Sequence, residues 1–183
     1  MTTELLAPLD LAFWHLESPD HPMHLGALAV FEAAPDGPGA PGARTGAGDG
    51  ALLDLLATRA AAVPRLRMLV QDVLLPVGGA AWSVDKDFDV RRHVRLVELP
   101  PGDFAEESAR LAGELMERPL ERGIPPWEMY LLAGGPVPGE ATGGDGSTGD
   151  APAGRSFAVL VKLHHALADG MRAVAIGAGI FDE

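Results

Sequence analysis

The sequence predicts one domain of the α/β class, with strands and helices mixed along the chain (α+β). Hydrophobic residues make up 47% of the 183 positions, which is enough for a core of its own. Apolar segments of strand length alternate with segments of helical periodicity, and turns rich in Gly or Pro separate them. The run from Phe157 to Leu163 is almost wholly apolar, which is typical of a strand buried on both faces. These observations favour a sheet covered by helices.

Helices are predicted where apolar residues recur at helical spacing. The first runs from Pro8 to Glu17. Its expected inward stripe is Leu9, Phe13 and Leu16. The second runs from Ala51 to Ala62 and stops before Pro64, because proline lacks the amide hydrogen that a helix needs. The third runs from Asp103 to about Met116, and the fourth is the short run from Met171 to Ile176.

Strands are predicted where apolar and polar residues alternate or where a short apolar run lies between turns. Val77, Gly78 and Gly79 supply a turn that leads the chain from one predicted strand toward the next. The predicted strands are Met23–Phe31, Leu66–Leu75, the run after Gly79 through Trp82, Arg91–Leu99, Trp127–Leu132 and Phe157–Leu163.

Two segments, at about 33–50 and 134–155, are dominated by small and turn-forming residues. They contain too little apolar surface to offset the entropy that ordering them would cost. We expect both to be mobile insertions within a single domain, residues 1–183, because the patterned segments around them belong together.

Charge and residue usage exclude several classes of function. A net charge of −12 argues against nucleic acid, whose phosphates need clustered Lys and Arg. The absence of cysteine removes disulfides, thiolate metal sites and cysteine nucleophiles, and it fits a cytoplasmic protein. No apolar run reaches about 18 residues, so we expect at most peripheral contact with a membrane or lipid inclusion.

The segment from Lys162 to Gly170 carries the strongest chemical signal. It contains the pattern His-His-x-x-x-Asp-Gly, formed by His164, His165, Asp169 and Gly170. Such a pattern arises by chance in roughly one chain of this length in a few thousand. Imidazole, with an ordinary pKa of about 6.5, can take a proton from a hydroxyl group at neutral pH, so the motif suits a general base. Glycine at the end would permit a backbone conformation or a close approach that a side chain would block.

Two other interpretations of the motif involve no base. A histidine after a strand is usually packed in the core, and an Asp-Gly pair usually forms a turn. A zinc site would need further ligands, but adjacent histidines point in different directions and no third ligand is obvious nearby. We therefore expect no metal here.

The motif resembles the active-site signature of the chloramphenicol acetyltransferase-like superfamily. Other blocks resemble one family within it, the wax ester synthases/diacylglycerol acyltransferases. These blocks are Pro8-Leu9-Asp10 with Phe13, Pro22 to Gly26, Val63 to Arg67, Arg118 to Leu120, and Pro125 to Glu128. Their order and spacing fit from Leu6 to Ala173, although Pro126 stands where the family usually has Leu and the second insertion is longer than expected.

The resemblance implies a fold of two α/β lobes, of which this chain supplies the N-terminal lobe and lacks the C-terminal one. It implies an enzyme that transfers a fatty acyl group from acyl-CoA, a substrate and not a cofactor, to diacylglycerol or a fatty alcohol. The product would be triacylglycerol or wax ester. We expect the isolated chain to be incomplete and to need a C-terminal lobe or self-association.

By the same resemblance, His165 is the general base and His164 packs inward. Asp169 is expected to support the motif through an ion pair, and a buried carboxylate needs such a partner. Arg67 is the expected partner, with Arg65 second, because alternate residues of a strand share a face.

Three further residues have open roles. Trp127 and Glu128 suit a substrate pocket and a structural position about equally. Asp10, near the start of the first helix, is more often a cap or dipole partner than a catalytic acid.

Two rival functions remain. A condensation domain of a peptide synthetase shares the His motif but takes thioesters carried on proteins, and the blocks at Pro8 and Trp127 speak against it. The other rival is a lone lobe that binds or pairs without turnover. Neither the acceptor nor the acyl chain length follows from the sequence.

Overall fold

The computed structural model describes residues 4–32, 47–134 and 156–181. Most of both predicted insertions lies outside these described residues. The elements are β1 (Glu4–Leu5), α1 (Pro8–Leu16), β2 (His24–Glu32), α2 (Ala47–Ala62), β3 (Met68–Val73), β4 (Gly79–Val84), β5 (Val94–Leu99), α3 (Phe104–Glu117), β6 (Trp127–Gly134), β7 (Ser156–His164) and α4 (Gly170–Phe181). Short 3-10 turns at Pro64–Arg67 and Val90–Arg92 precede β3 and β5.

The described strands form two sheets. One is antiparallel, in the order β1-β4-β3, and the predicted turn around Gly78 joins β3 and β4 as a hairpin. The other has the order β2-β7-β6-β5, with β5 and β6 parallel and the other pairs antiparallel. A parallel pair needs a long crossover, and α3 supplies it. The mixture of strands and helices confirms the predicted fold class.

Both faces of the four-stranded sheet are covered, which explains the apolar run in β7. Tyr130 and Leu160 belong to the cluster that packs beneath α3. Met129 and Val159 point the other way, into a larger core shared with α1, α2 and α4. Side chains of neighbouring strand residues alternate between these two layers, so no position along β7 needs to be polar for solvation.

Two helix predictions changed in detail. In α1 the buried side chain is Trp14, whereas Leu9 and Leu16 are exposed, so the predicted stripe is wrong. Burying the indole of Trp14 stabilises the fold more than burying either leucine would, because the indole is the largest apolar surface on the helix. Residues 47–50, assigned to the first insertion, instead begin α2, with Asp49 in its first turn, where a negative charge favours a helix.

The strand predicted from Leu66 begins at Met68, and the one predicted from Arg91 begins at Val94. In the first case Pro64 sets up a helical turn, because its ring fixes φ near the helical value. Across the described ranges, no helix combines the length and the apolar character needed to cross a bilayer.

Candidate active site

The His-His-x-x-x-Asp-Gly motif covers the end of β7 and the loop before α4. The N–H of His164 donates to the carbonyl of Pro126 at 3.0 Å, and the N–H of His165 donates to the carbonyl of Met23 at 2.9 Å. These two bonds place the motif between the ends of β6 and β2. Two sequence blocks far apart in the chain therefore meet at the motif, and Pro126 serves there through its carbonyl group.

His165 lies partly exposed beside α1. Its ring centroid is 5.0 Å from that of Phe13, with the planes inclined by 30°. Within the residues that the structure describes, no hydrogen bond engages its imidazole. Such an imidazole is available to accept a proton from a hydroxyl group placed against it.

His164 is fully buried. Its Nδ1 accepts the N–H of Ala166 at 2.9 Å, and its ring meets Trp14 edge-on with centroids 5.1 Å apart. Burial lowers the pKa of His164 to about 4, and the positive charge of Arg122 acts in the same direction. The imidazole is therefore neutral at pH 7 and is enclosed on the protein side of the motif.

Asp169 is exposed, and among the described residues no arginine forms an ion pair with it. The expectation of a buried Asp169–Arg67 pair is therefore wrong. Oδ1 of Asp169 accepts the N–H of Arg172 at 2.8 Å, so this residue caps the N-terminus of α4. The Cζ of Arg67 lies 5.6 Å from the ring centroid of Phe88 instead.

The backbone explains this correction. The prediction placed Arg65 and Arg67 on one face of a strand, but both belong to a 3-10 turn, in which alternate residues do not share a face. Arg65 is the residue that reaches the motif: its Nε donates to the carbonyl of Leu167 at 3.3 Å. Its guanidinium also lies over Trp82, with Cζ 4.1 Å from the ring centroid. Arginine thus supports the loop through the backbone and not through Asp169.

Gly170 needs no glycine-specific conformation in the described residues. It starts α4 without a positive φ, and a Cβ placed there would meet no atom within 4 Å. The expectation of a close approach at Gly170 is not met within this part of the chain.

Asp10 connects α1 to α4. Its Oδ2 lies 3.9 Å from a guanidinium nitrogen of Arg172, and burial raises the pKa of Asp10 while Arg172 and Arg65 oppose the shift. The carboxylate therefore faces the cationic side chains that border the motif loop.

Trp127 and Glu128 lie within the packing of the four-stranded sheet. The indole of Trp127 stacks on His93 with centroids 4.6 Å apart, and its Nε1 donates to the carbonyl of Leu66 at 2.7 Å. Glu128 accepts a hydrogen bond from the Tyr130 hydroxyl at 2.8 Å and lies 3.7 Å from Arg95. These contacts fit a structural position, one of the two roles that the sequence left open for both residues.

Sequence reasoning missed two residues beside the motif. Oε1 of Glu17 lies 3.5 Å from Nε2 of His164, and Oε2 of Glu17 accepts a hydrogen bond from Arg122. In the sequence Glu17 reads as the end of a helix, and Arg122 is 105 positions away. No local pattern links the two.

The described residues show no cluster of metal ligands, and they form a cavity away from the motif. Across residues 4–32, 47–134 and 156–181, no three His, Cys, Asp or Glu side chains converge as metal ligands would. A cavity of about 350 Å³ lies on the β3–β4 hairpin. Its lining includes Gln71, Ser83 and Lys86 and no residue of the motif.

The chain matches a known family over most of its length. Residues 6–140 and 151–183 match the family described as the wax ester synthase/diacylglycerol acyltransferase catalytic domain. The probable diacylglycerol O-acyltransferase tgs3 of Mycobacterium tuberculosis is 33% identical over 182 residues, which are 100% of this chain and 57% of that protein. The probable diacylglycerol O-acyltransferase tgs1 of the same organism is 33% identical over 181 residues, covering 97% of this chain and 33% of its own length.

Solved structures agree. A wax ester synthase/diacylglycerol acyltransferase from Marinobacter aquaeolei VT8 superposes with a TM-score of 0.70 at 25% identity, covering 96% of this chain and 36% of its own. The starter condensation domain of rhizomide synthetase RzmA gives a TM-score of 0.61 at 15% identity, covering 98% of this chain and 36% of that one. The second likeness shows the fold alone.

Proposed function

The chain belongs to the wax ester synthase/diacylglycerol acyltransferase family, and on that premise we propose that it carries the general base of an acyl-CoA-dependent O-acyltransferase. One observation carries the proposal. The family's motif leaves the imidazole of His165 partly exposed against Phe13, while the neighbouring His164 is buried and neutral. A base must be accessible to its substrate, and of the two motif histidines the second is the one that is partly exposed.

The proposed reaction joins an alcohol to a fatty acyl group. His165 removes the proton of the acceptor hydroxyl as its oxygen attacks the thioester carbonyl of acyl-CoA. The carbon–sulfur bond then breaks, the ester is released, and the thiolate of CoA takes up the proton. Histidine suits this cycle because it can accept and return a proton near neutral pH.

The names of the relatives support the substrate class. Two Mycobacterium tuberculosis proteins are named as diacylglycerol O-acyltransferases, and the Marinobacter protein is named as both wax ester synthase and diacylglycerol acyltransferase. We therefore propose diacylglycerol or a fatty alcohol as acceptor, with triacylglycerol or wax ester as product.

The chain spans 57% of one of these relatives and 33% of another. A base alone neither shields a thioester from water nor shapes two substrate pockets. We propose that these parts of the site come from a C-terminal lobe or from association with a second copy. The condensation-domain alternative rests on a likeness of fold alone. No observation on the described residues favours it.

The test replaces the base. In the chain joined to a C-terminal lobe in one polypeptide, His165→Ala should lower the transfer rate from acyl-CoA by about 10²–10⁴-fold, the usual loss when a general base is removed. His21→Ala, which alters an exposed histidine, should keep the wild-type rate. Circular dichroism should show both variants folded. A folded His165→Ala variant whose rate stays within a few-fold of wild type would contradict the assignment.

A further inference from the structure

Glu17 and Arg122 form a charged pair that the proposed chemistry does not use; its carboxylate is buried and its guanidinium is partly exposed. Glu17 follows α1 directly, and its side chain is 7% exposed. Arg122 donates to its Oε2 and also to the carbonyl of Trp14, at 2.9 Å, while its Cζ lies 3.6 Å from the Trp14 ring centroid. A buried carboxylate is costly without a cation, so Arg122 accounts for one of its two oxygens.

The second oxygen faces the motif. Oε1 of Glu17 and Nε2 of His164 are 3.5 Å apart, and within the described residues neither atom has a hydrogen-bond partner, although both are buried. Buried polar atoms are almost always paired, so two facing orphans point to each other.

The tautomer of His164 makes the pair complementary. Its Nδ1 accepts the N–H of Ala166, so it carries no proton. A neutral imidazole has one N–H, which must then be on Nε2, the atom that faces the carboxylate. A donor meets a charged acceptor, and that combination gives stronger hydrogen bonds than neutral pairs.

We propose that Glu17 is a positioning residue, whose carboxylate is held by Arg122 and accepts the Nε2–H of His164, so that it fixes the backbone from which His165 projects. The ring of His164 is then anchored at both nitrogens, one to its own loop and one to the end of α1. Phe13, on the same helix, contacts the ring of His165. One short helix therefore sets the orientation of both histidines.

This inference rests on the proposed role of His165 as the base. Glu17 itself lies behind the motif and takes no part in proton transfer. Its effect on catalysis is geometric, because a displacement of about 1 Å in a reacting group can cost about 10²-fold in rate.

The contact is tested first without any activity. In the 183-residue chain with ¹⁵N-labelled histidine, NMR should show His164 with its proton on Nε2 and that proton shifted downfield. In Glu17→Gln the proton should move upfield and exchange with water at least about tenfold faster, because a neutral amide is a weaker acceptor. A proton on Nδ1, or a rapidly exchanging Nε2–H in the wild-type chain, would overturn the proposal even if the variant failed to fold.

Kinetics then test the positioning. In the form joined to a C-terminal lobe, Glu17→Gln should lower kcat by about 10–100-fold with KM for acyl-CoA within about twofold, a loss typical of residues that orient a reacting group. Glu17→Asp keeps the charge on a shorter side chain and should recover part of the rate. Glu107→Gln removes another arginine-paired carboxylate, on α3, and should leave kcat unchanged.

An unchanged kcat in a folded Glu17→Gln variant would overturn the positioning role. So would a rise in KM alone. If the wild-type protein shows no acyl transfer, the proposed function fails, whereas the NMR result still decides whether Glu17 binds His164.

Discussion

At the scale of single residues, two neighbouring histidines differ because the end of a strand directs neighbouring side chains to opposite sides. His164 points into the protein, where burial keeps its imidazole neutral, and His165 remains partly exposed beside Phe13. The same residue type thus supports the loop at one position and is available for chemistry at the next.

Burial of His164 should make the fold sensitive to acid. Its pKa is about 4 in the folded chain and 6.5 when exposed, so between these values only the unfolded chain binds the proton. His164 by itself should therefore lower the free energy of unfolding by about 2 kcal/mol between pH 7 and pH 5. Burial lowers the pKa of His24 and His93 as well, which acts in the same direction. Urea unfolding at the two pH values measures this.

A variant isolates the contribution of His164. His164→Asn places an acceptor near the position of Nδ1 and removes the titrating group. Between pH 7 and pH 5, the free energy of unfolding of this variant should therefore fall by less than that of the wild-type chain. The difference should be about 2 kcal/mol, to within about 1 kcal/mol. If the variant and the wild-type chain lose the same stability on acidification, His164 is not the cause.

At the scale of elements, the start of α4 explains what Asp169 contributes. Its carboxylate caps the helix by accepting the N–H of Arg172, as Asp103 caps α3 by accepting the N–H of Glu106 at 2.9 Å. Both caps are exposed, so each should contribute a similar amount to the free energy of unfolding.

We therefore predict that Asp169→Ala destabilises the chain by about 1 kcal/mol, the usual loss for an N-cap. Asp169→Asn should be close to wild type, since asparagine caps equally well. Asp103→Ala is the matched control on α3. Urea denaturation decides between this and a buried ion pair, whose loss would cost about 3–5 kcal/mol.

At the scale of the whole molecule, Trp127 joins the two sheets. It lies on β6, while the carbonyl of Leu66 that it bonds belongs to the turn leading into β3. Trp127→Phe should keep most of the packing but leave that carbonyl without its donor. We expect a loss of about 1–3 kcal/mol in the free energy of unfolding.

The same variant separates a core role from a pocket role. If Trp127 is structural, the preference of the joined two-lobe protein among acyl-CoA chain lengths should not change. Trp82→Phe, at a comparably buried tryptophan of β4, is the control for loss of volume. A changed chain-length preference with unchanged stability would indicate that Trp127 lines the substrate pocket.

Apolar side chains next to the motif predict how the isolated chain behaves. Met171 and Val174 lie one turn apart on α4 and are 84% and 72% exposed. Large exposed apolar surfaces usually mark an interface. We predict that the 183-residue chain self-associates and transfers acyl groups weakly on its own. Sedimentation of the wild-type chain should show species larger than a monomer. The double variant Met171→Lys, Val174→Glu should sediment as a monomer. A monodisperse wild-type monomer with robust transfer would contradict the prediction.

The sequence by itself determined the features that depend on near neighbours along the chain. The fold class, the strand β7 and the helix α3 follow from periodicity and from a cap within three residues of its partner. The motif is equally local, because its four residues lie within seven consecutive positions. These signals are strong because helix caps, breakers and strand alternation act over a few residues only.

Only the tertiary structure decided which distant groups meet. Arg65 reaches Leu167 across 102 positions and Glu17 reaches Arg122 across 105, while Asp169 stays at the surface. Two arginines, Arg67 and Arg65, were expected as partners of the Asp169 carboxylate, and their local patterns are alike. The choice depended on a turn at Pro64 in place of a strand, which redirected Arg67, and on which face of α1 was buried. These contacts form between segments that are far apart in the sequence, so no short stretch of sequence contains both partners.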